Sequence, residues 1–265
     1  MSPLEAPLGP FVERPDRSAL LFDFDGTLSP IVDDPVQARM VAGAFEALGE
    51  LATTFQVVGL LSGRPVSFLA PLVPPGVMIS GLYGLEVVRD GVRDDHPNSG
   101  AWREVVADVA GCSRHLGPEG MVVETKGLSL TLHYRTRPEL AHAVQDWALQ
   151  QANRSGLVYR NARMSVELHP PIDADKGTAV EAIATESDAV CFIGDDRGDL
   201  PAYDALDRLA RRGVHTLKVA VVSDEGPDEL VRRADLVLPG PAAVVEFLQS
   251  LLDRVRPASA STPEA

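Results

Sequence analysis

Short apolar runs recur along the first and last thirds of the chain, and segments with helical periodicity separate them. Most of these runs do not alternate between apolar and polar positions, which is typical of strands buried on both faces of a parallel sheet. The succession of strand and helix predicts an α/β fold with a Rossmann-like open parallel sheet. The predicted strands are residues 19–24, 55–61, 77–79, 189–193, 216–222 and 236–238, and the predicted helices are residues 38–52, 65–72, 176–186, 200–212, 226–233 and 241–255.

The middle of the chain has a different pattern. Residues 86–93 place Asp90 and Gly91 between two β-prone pairs, which indicates a hairpin. Helical and strand patterns then follow in the mixed order of an α+β domain. We therefore predict an inserted α+β domain at residues 87–171, within a core domain formed by residues 1–86 and 172–265. Its predicted helices are residues 101–116 and 138–153, and its predicted strands are residues 121–125, 129–134, 157–160 and 165–168.

Both ends of the chain lack a clear periodicity. Residues 1–17 are rich in proline, and residues 256–265 are small, polar and proline-bearing. Such segments fray unless packing holds them. We expect irregular structure at both ends.

Composition and charge limit the classes of partner. The chain has 265 residues, of which 45% are hydrophobic, and a formal net charge of −14. An acidic surface repels nucleic acid, whose binding requires Lys and Arg against the phosphates. A small anionic substrate is still allowed, because exposed charges are screened beyond about 8 Å at physiological salt. A site for such a substrate must therefore supply its own cations.

The two cysteines and the apolar runs indicate a soluble cytoplasmic protein. Cys112 and Cys191 have neither the spacing of a metal site nor that of a disulfide framework, and the apolar neighbours of Cys191 predict a buried thiol. The N-terminus has no apolar segment of the signal-peptide kind, and no apolar run approaches the roughly 20 residues of a membrane span. We expect no contact with a membrane.

Polar residues gather where the predicted strands end. Ligands of open α/β sheets bind beyond the carboxyl ends of the strands, so these residues are candidates for a site. Lys176 opens the helix that precedes the strand at 189–193. The residues at the ends of the predicted strands, or directly after them, are Asp23, Asp25, Ser62, Gly63, Arg64, Asp195, Asp196 and Asp199.

These side chains suit magnesium-dependent phosphoryl chemistry. Asp23 and Asp25 are two positions apart, so a strand would place both carboxylates on one face. Close carboxylates repel unless a cation or a proton lies between them, and a third, Asp195, completes a set of hard oxygen ligands for Mg²⁺. Ser62 and Lys176 offer a hydroxyl and an ammonium group that hold phosphate oxygens and offset developing charge. A carboxylate nucleophile would divide a very slow reaction into two easier steps.

Two of the candidates have alternative interpretations. Asp196 either lies beside a metal ligand or caps the next helix. Arg64 pairs either with the substrate or with a nearby carboxylate.

Four segments are similar to the four motifs of haloacid-dehalogenase-like phosphatases and occur in the same order: DFDGT at 23–27, SGR at 62–64, Lys-Gly at 176–177 and GDDRGD at 194–199. This resemblance implies that Asp23 is the nucleophile and that Asp25 is a general acid and then a base. It also implies an insert that acts as a mobile cap and excludes bulk water. It implies Mg²⁺ held by the Asp23 carboxylate, the Asp25 carbonyl and Asp195, and phosphate held by Ser62, Gly63 and Lys176. It also implies that Asp199 orients Lys176 or a metal-bound water. Asp196 is a separate candidate for a supporting role beside the metal ligand Asp195.

Further segments resemble trehalose-6-phosphate phosphatases, and the similarity extends from about Ser18 to Leu248. They are DFDGTLSPIVDDPVQA at 23–38, ETKGLSLTLHYR at 124–135, VELHP at 166–170 and DKG at 175–177. The chain departs from that family at His169, where the family commonly has Arg, and at Leu200, where it usually has an acidic residue. The resemblance implies that Glu124, Lys126 and Glu167 bind sugar hydroxyls, and Arg64 is a further candidate for contact with the substrate.

The resemblance implies hydrolysis of trehalose 6-phosphate to trehalose and phosphate, with a functional link to a sugar-phosphate synthase. One alternative is a related phosphatase for another sugar phosphate or for a phosphorylated pseudo-disaccharide. A second is a non-catalytic module that binds sugar or phosphate. The acid Asp25 argues against that module, because a protein that only binds does not need it.

Overall fold

The computed structural model describes residues 5–32, 34–162, 164–222 and 226–256, with side chains described from residue 7 onward. The chain divides into two compact units. The first, here the core unit, comprises Met1–Asp94 and Ala174–Ala265, and the second, here the insert unit, comprises Asp95–Asp173.

The core unit contains one sheet of eight strands. In sequence order they are β1 (Ser18–Phe22), β2 (Val57–Leu61), β3 (Met78–Gly81), β4 (Glu86–Arg89), β5 (Val92–Arg93), β10 (Ala189–Gly194), β11 (His215–Val221) and β12 (Leu236–Leu238). Their spatial order is β12-β11-β10-β1-β2-β3-β4-β5. The first six strands in this order are parallel, and β4 and β5 are antiparallel to their neighbours. The predicted α/β class with an open, mostly parallel sheet is confirmed.

Helices cover both faces of this sheet, because successive residues of each central strand point to opposite sides. Leu20 and Phe22 belong to the apolar cluster on one face, and Ala19 and Leu21 belong to the cluster on the other. The helices of the first face are α1 (Glu5–Glu13), α2 (Ala44–Ala52), α3 (Val66–Leu69) and α9 (Pro241–Val255), and those of the second are α6 (Lys176–Ile183), α7 (Leu200–Arg211) and α8 (Asp228–Arg233).

Strand β1 lies between β10 and β2, and all three run in the same direction. Phe22, the last residue of β1, is in register with Ile193 and with Leu60. After β1, the chain adds β2 and then β3 along one edge of β1, and it later adds β10 along the opposite edge. Such a reversal of strand order opens the crevice in which open α/β sheets bind ligands.

The hairpin predicted at residues 86–93 is present, but it extends the core sheet. Asp90 and Gly91 form its turn with φ of 52° and 75°, the left-handed geometry that tight hairpins prefer. Strand β4 pairs with β3, and β5 pairs with β4. The predicted start of the insert at residue 87 would assign most of this hairpin to a different domain from the sheet that it extends. The units divide instead between Asp94 and Asp95 and between Asp173 and Ala174.

The expectation of an irregular N-terminus is wrong, because α1 forms there. Leu8 and Phe11 lie three positions apart on this helix and are both buried. The ring of His215 contacts that of Phe11 and bonds the Pro7 carbonyl at 2.9 Å. Tertiary packing thus outweighs the proline inside the helix, Pro10. At the other end, all of residues 256–265 except Arg256 lie outside the described residues.

The insert unit is a four-stranded antiparallel sheet with two helices on one face. Its strands are β6 (Val122–Thr125), β7 (Leu130–His133), β8 (Val158–Ala162) and β9 (Ser165–His169), in the order β6-β7-β9-β8. Its helices are α4 (Ser99–Leu116) and α5 (Ala141–Ser155), which pack on the apolar side chains of β7 and β9. The predicted α+β character is confirmed. Within the described ranges, each helix of the protein is too short or too polar to cross a membrane.

Candidate active site

Asp23 and Lys176 form a buried ion pair at the carboxyl end of β1. Asp23 directly follows the strand, and its backbone N–H donates to the Ile193 carbonyl at 2.9 Å, which extends the pairing with β10. The Asp23 side chain is 7% exposed, and that of Lys176 is 4% exposed. The Lys176 Nζ lies 2.6 Å from an oxygen of Asp23 and 2.6 Å from an oxygen of Asp199. One ammonium group therefore joins the ends of two separate chain segments.

The helix start fixes Lys176 in this position. Asp175 caps α6 by accepting from the Thr178 N–H at 2.8 Å, and its own N–H donates to the Thr178 hydroxyl at 3.0 Å. This capping box begins the helix at Lys176, where a cation opposes the helix dipole. Burial alone would lower the pKa of Lys176, but the carboxylates of Asp199 and Asp23 outweigh it and raise that pKa well above its usual value. The buried Lys176 side chain is therefore a protonated ammonium group.

Asp199 holds the loop after β10 as well as Lys176. Its second oxygen accepts from the backbone N–H groups of Asp195 and Asp196 at 2.8 and 3.0 Å. These contacts place Asp199 against Lys176, and its predicted supporting role stays a prediction. Asp196 is exposed and accepts from the Gly198 N–H at 2.8 Å, so the structure shows the capping alternative for this residue.

Three buried carboxylates cluster beside the ammonium group. One oxygen each of Asp23, Asp195 and Asp199 lies within 4.8 Å of the others. Burial raises the pKa of Asp23 well above its usual value, Lys176 opposes this rise, and the other carboxylates add to it. When all three carboxylates are ionised, the cluster carries more negative charge than one lysine offsets. Hard oxygen donors are what a divalent cation such as Mg²⁺ prefers. These residues fit a metal ion.

Gly26 brings the loop after β1 against Asp195. Its φ is +81°, and an added Cβ would lie 2.0 Å from an oxygen of Asp195. The hydroxyl of Thr27 approaches the other Asp195 oxygen at 3.5 Å. The turn of the DFDGT segment therefore needs a residue without a side chain at this position.

Asp25 does not join the carboxylate cluster through its side chain. Its two oxygens pair with Arg64, whose Nε and Nη2 lie at 2.8 and 2.6 Å. Of the two interpretations of Arg64, the structure shows the pair with a nearby carboxylate. The predicted contact of Asp25 with metal is through its backbone carbonyl, and it stays a prediction.

Ser62 and Gly63 occupy the turn that follows β2. The buried Ser62 hydroxyl accepts from the Arg64 N–H at 3.1 Å, which leaves its proton available for a further acceptor. A Cβ on Gly63 would lie 2.7 Å from the hydroxyl oxygen of Tyr83. The structure thus brings the SGR turn to the same edge of the sheet as Asp23 and Lys176.

Sequence reasoning missed the segment Gly81–Glu86, which supports this turn. Leu82 and Tyr83 have φ of 49° and 60°, and their N–H groups donate to the carbonyls of Arg64 and Ser62 at 3.0 and 3.1 Å. The buried carboxylate of Glu86 accepts from the Val66 N–H at 2.9 Å. Two consecutive left-handed residues other than glycine are uncommon and often lie at functional sites. Gly81 and Gly84, which lie on either side of Leu82 and Tyr83, are the signal of a turn that the sequence contains.

The insert unit places two of its three predicted sugar contacts in one row. Glu124 is in register with Thr131, and Thr131 with Glu167, so the three side chains lie on one face of the sheet. Glu124 bonds the His133 ring at 2.9 Å, and Glu167 accepts from the Ser129 hydroxyl at 3.0 Å. The third predicted contact, Lys126, lies in the turn between β6 and β7.

Comparison of the sequence with known proteins gives consistent matches. The family model for trehalose-phosphatase matches residues 21–234. A trehalose-phosphate phosphatase of Mycobacterium avium (strain 104) is 34% identical over 249 residues, which cover 89% of this chain and 62% of that protein. The corresponding protein of Mycobacterium ulcerans (strain Agy99) is 33% identical over 263 residues, which cover 91% of this chain and 64% of that protein. The chain thus spans less than two thirds of the length of these relatives.

Solved structures show the same fold at lower identity. The crystal structure of a trehalose-6-phosphate phosphatase related protein has a TM-score of 0.70 at 19% identity, covering 89% of this chain and 97% of that one. Trehalose-6-phosphate phosphatase of Aspergillus fumigatus has a TM-score of 0.65 at 22% identity, covering 94% and 97%. A haloacid dehalogenase-like hydrolase from Bacteroides thetaiotaomicron has a TM-score of 0.60 at 15% identity, covering 88% and 99%. With a family model that matches most of its length, the chain belongs to the trehalose-phosphatase family, and its fold is that of haloacid dehalogenase-like hydrolases.

Proposed function

We propose that this chain is a magnesium-dependent phosphatase that hydrolyses trehalose 6-phosphate to trehalose and phosphate. One observation carries the proposal: the buried Lys176 ammonium lies 2.6 Å from both Asp23 and Asp199, with Asp195 in the same cluster of carboxylates. Transfer of an anionic phosphoryl group needs a positive charge beside the nucleophile. Lys176 supplies this charge beside Asp23, and Asp199 holds Lys176 in place. Membership of the trehalose-phosphatase family supports the choice of substrate.

The first half of the reaction forms an aspartyl-phosphate. An oxygen of the Asp23 carboxylate attacks the phosphorus, and the bond from phosphorus to the sugar oxygen breaks. Asp25 donates a proton to that oxygen, which leaves as the sugar hydroxyl. Lys176 and the Ser62 hydroxyl, with the Gly63 N–H, hold the phosphoryl oxygens while their charge is redistributed.

The second half releases phosphate. A water molecule attacks the phosphorus of the aspartyl-phosphate, and the Asp25 carboxylate takes its proton. The bond from phosphorus to the Asp23 oxygen breaks, which restores both carboxyl groups. The reaction is therefore balanced over the two steps, with Asp25 as acid and then base.

The residues of the site suit Mg²⁺. Asp23 and Asp195 would hold the ion with their carboxylates, and Asp25 with its backbone carbonyl. When bound, the ion neutralises charge on the phosphoryl oxygens. Asp199 keeps Lys176 in place through one oxygen and the loop after β10 through the other.

Glu124, Lys126 and Glu167 of the insert unit are the proposed contacts for sugar hydroxyls. The shared row of Glu124 and Glu167 supports this role, because carboxylates on one sheet face accept hydrogen bonds from neighbouring hydroxyls. A phosphorylated disaccharide must be made before it is hydrolysed, so a functional link to a sugar-phosphate synthase is part of the proposal. A cytoplasmic location is also proposed, since Cys112 and Cys191 are both unpaired thiols.

The test is phosphate release from a panel of esters with Mg²⁺ and with excess chelator. We expect trehalose 6-phosphate to be preferred over glucose 6-phosphate and p-nitrophenyl phosphate, and the chelator to abolish turnover. Asp23→Asn should be inactive on all three esters. Asp253→Asn is the matched control, because the Asp253 side chain is 72% exposed on α9 and should be dispensable.

Preference for another ester, with trehalose 6-phosphate ignored, would support the alternative of a related sugar-phosphate phosphatase. A wild-type chain that binds sugar phosphates and is as inactive as Asp25→Asn on every ester would support the non-catalytic module. Full activity after removal of divalent metal would contradict the role of Mg²⁺.

A further inference from the structure

Both oxygens of the proposed general acid are bound to one side chain. Arg64 donates from Nε to one Asp25 oxygen at 2.8 Å and from Nη2 to the other at 2.6 Å. This two-point pairing sets the plane of a carboxylate as well as its position. The Arg64 side chain is 14% exposed and that of Asp25 is 39% exposed, so Arg64 lies beneath the carboxylate that it orients.

Arg64 is itself held on its remaining sides. Its Nη1 donates to the Pro35 carbonyl at 2.6 Å, and its guanidinium group lies 4.3 Å from the centre of the Phe68 ring. Phe68 packs edge-on against Phe24, which lies between Asp23 and Asp25 in the sequence. All three guanidinium nitrogens are therefore engaged in the protein's own contacts.

These contacts give a role to the segment that follows the first motif. Asp34 accepts from the Val36 N–H at 3.1 Å and caps a short 3-10 turn at Pro35–Gln37. The turn presents the Pro35 carbonyl to Arg64. The resemblance to trehalose-6-phosphate phosphatases includes this segment but assigns it no function.

The backbone of Arg64 ties the same residue to the phosphate-binding turn. Its N–H donates to the Ser62 hydroxyl at 3.1 Å, and its carbonyl accepts from the Leu82 N–H at 3.0 Å. The acid and the hydroxyl that would contact the phosphoryl group are thus positioned by one residue.

We propose that Arg64 is a positioning residue for Asp25, acting through this carboxylate rather than on the substrate. The inference rests on the proposed function, since it assumes that Asp25 transfers protons. It makes a distinctive prediction: loss of Arg64 slows only those steps in which Asp25 moves a proton. A sugar alkoxide needs that proton in order to leave, whereas p-nitrophenolate leaves without it.

The experiment compares the two leaving groups in single turnover. For Arg64→Gln, we expect formation of the aspartyl-phosphate from trehalose 6-phosphate to slow by about 10- to 100-fold, within the contribution of a general acid. The burst of p-nitrophenol from p-nitrophenyl phosphate reports the same step, and it should change by less than about threefold, because that step then needs no acid. Inhibition by inorganic phosphate should stay unchanged.

Two further variants sharpen the test. Arg64→Lys keeps the charge but not the two-point fork, so it should resemble Arg64→Gln. Phe68→Leu removes the ring beneath the guanidinium group. It should slow the reaction of trehalose 6-phosphate less than Arg64→Gln does and leave the p-nitrophenol burst nearly unchanged. This variant replaces Arg64→Gln in the test if Arg64→Gln fails to fold. The control is Arg256→Gln, which removes an exposed ion pair with Glu50 and should leave both rates unchanged.

A double variant tests whether Arg64 acts through Asp25. Asp25→Asn combined with Arg64→Gln should be no slower than Asp25→Asn alone, within about twofold, because coupled residues are not additive. Multiplied effects, equal slowing of both leaving groups, or weaker phosphate inhibition with normal single-turnover rates would each overturn the inference. If the wild-type chain ignores trehalose 6-phosphate but hydrolyses another alkyl phosphate, the proposed substrate fails and the same comparison is made with that ester. A wild-type chain that hydrolyses no ester overturns both proposals.

Discussion

A single backbone position controls the approach of the first motif to Asp195. Gly26 has a left-handed φ of +81°, and the oxygens and carboxyl carbon of Asp195 lie within 2.5 Å of where its Cβ would stand. Gly91 is left-handed as well, with φ of +75°, but nothing lies within 4 Å of its Cβ position. Both glycines have a left-handed backbone conformation, but only Gly26 has a carboxylate at the position where a Cβ would lie.

Gly26→Ala should therefore impair metal use as well as folding. The new methyl group must displace Asp195, so we expect the Mg²⁺ concentration for half-maximal activity to rise by more than about tenfold, or about 1.4 kcal/mol. Gly91→Ala should lose about 1–2 kcal/mol of stability from the left-handed backbone and keep its Mg²⁺ dependence. Activation curves for Mg²⁺ and denaturant unfolding measure the two effects. Matching curves for both variants would contradict the argument.

Lys176 lies among carboxylates that need its charge. Lys176→Met would leave a buried cluster without the ammonium group that contacts Asp23 and Asp199, so we expect a loss of about 3–5 kcal/mol in the free energy of unfolding. Added Mg²⁺ should recover more stability in this variant than in the wild type, because binding to the folded state stabilises it. Lys218→Met, which breaks a pair with Asp207 outside the site, should show no extra effect of Mg²⁺. Equal responses of the two variants to Mg²⁺ would be evidence against a shared metal and lysine site.

At the scale of elements, the segment after β3 supports the turn after β2. Tyr83 lies over Gly63, and its N–H donates to the Ser62 carbonyl. Gly81 is equally close to that turn, but its Cβ would meet backbone, 2.8 Å from the Arg64 carbonyl oxygen. A clash with a side chain is relieved by shortening it, whereas a clash with backbone is not.

This difference predicts a selective rescue. Gly63→Ala should lower kcat by about tenfold or more, because a 1 Å displacement of positioning groups costs up to about 10²-fold. Adding Tyr83→Ala to Gly63→Ala should restore part of the lost kcat. Adding Tyr83→Ala to Gly81→Ala should restore none of the activity that Gly81→Ala loses. Rates with p-nitrophenyl phosphate, together with Tm values that exclude unfolding, provide the measurement. Additive losses in both double variants would mean that Tyr83 does not bear on the turn.

Periodicity predicts the elements better than it predicts their contacts. Continuous apolar runs identify β1, β2 and β10, because strands buried on both faces leave that signature. The parallel order then brings Asp23 and Asp195 to one edge of the sheet. Helix α2 begins at Ala44 rather than at residue 38, since Gly43 adopts a left-handed φ of 86° that no apolar pattern encodes. The pair of Arg64 and Asp25 depends on side-chain directions within two turns, which sequence spacing does not specify.

At the scale of the whole molecule, the two units have different kinds of polar residue. The core unit has ion pairs and carboxylates at the ends of its parallel strands, and such groups suit the binding of a metal ion and an anionic phosphoryl group. The insert unit has a sheet with helices on one face and the row of Glu124, Thr131 and Glu167 on the other. The Thr131 hydroxyl is buried and lacks a hydrogen-bond partner among the described residues, as is expected where a polar ligand or water completes the bonding.

This division predicts that variants of the insert unit change substrate choice and leave phosphoryl transfer intact. Glu167 is buried, so Glu167→Gln keeps the shape of the side chain but removes the charge that strengthens bonds to sugar hydroxyls. We expect KM for trehalose 6-phosphate to rise by about tenfold or more, since a charged hydrogen bond contributes about 1.5–3 kcal/mol. Both kinetic constants for p-nitrophenyl phosphate should stay unchanged, because that ester has no sugar. The exposed Glu119→Gln is the matched control in the same unit. Equal losses on the two esters would show that Glu167 supports the fold or the chemistry, and would remove the assignment of sugar recognition to the insert unit.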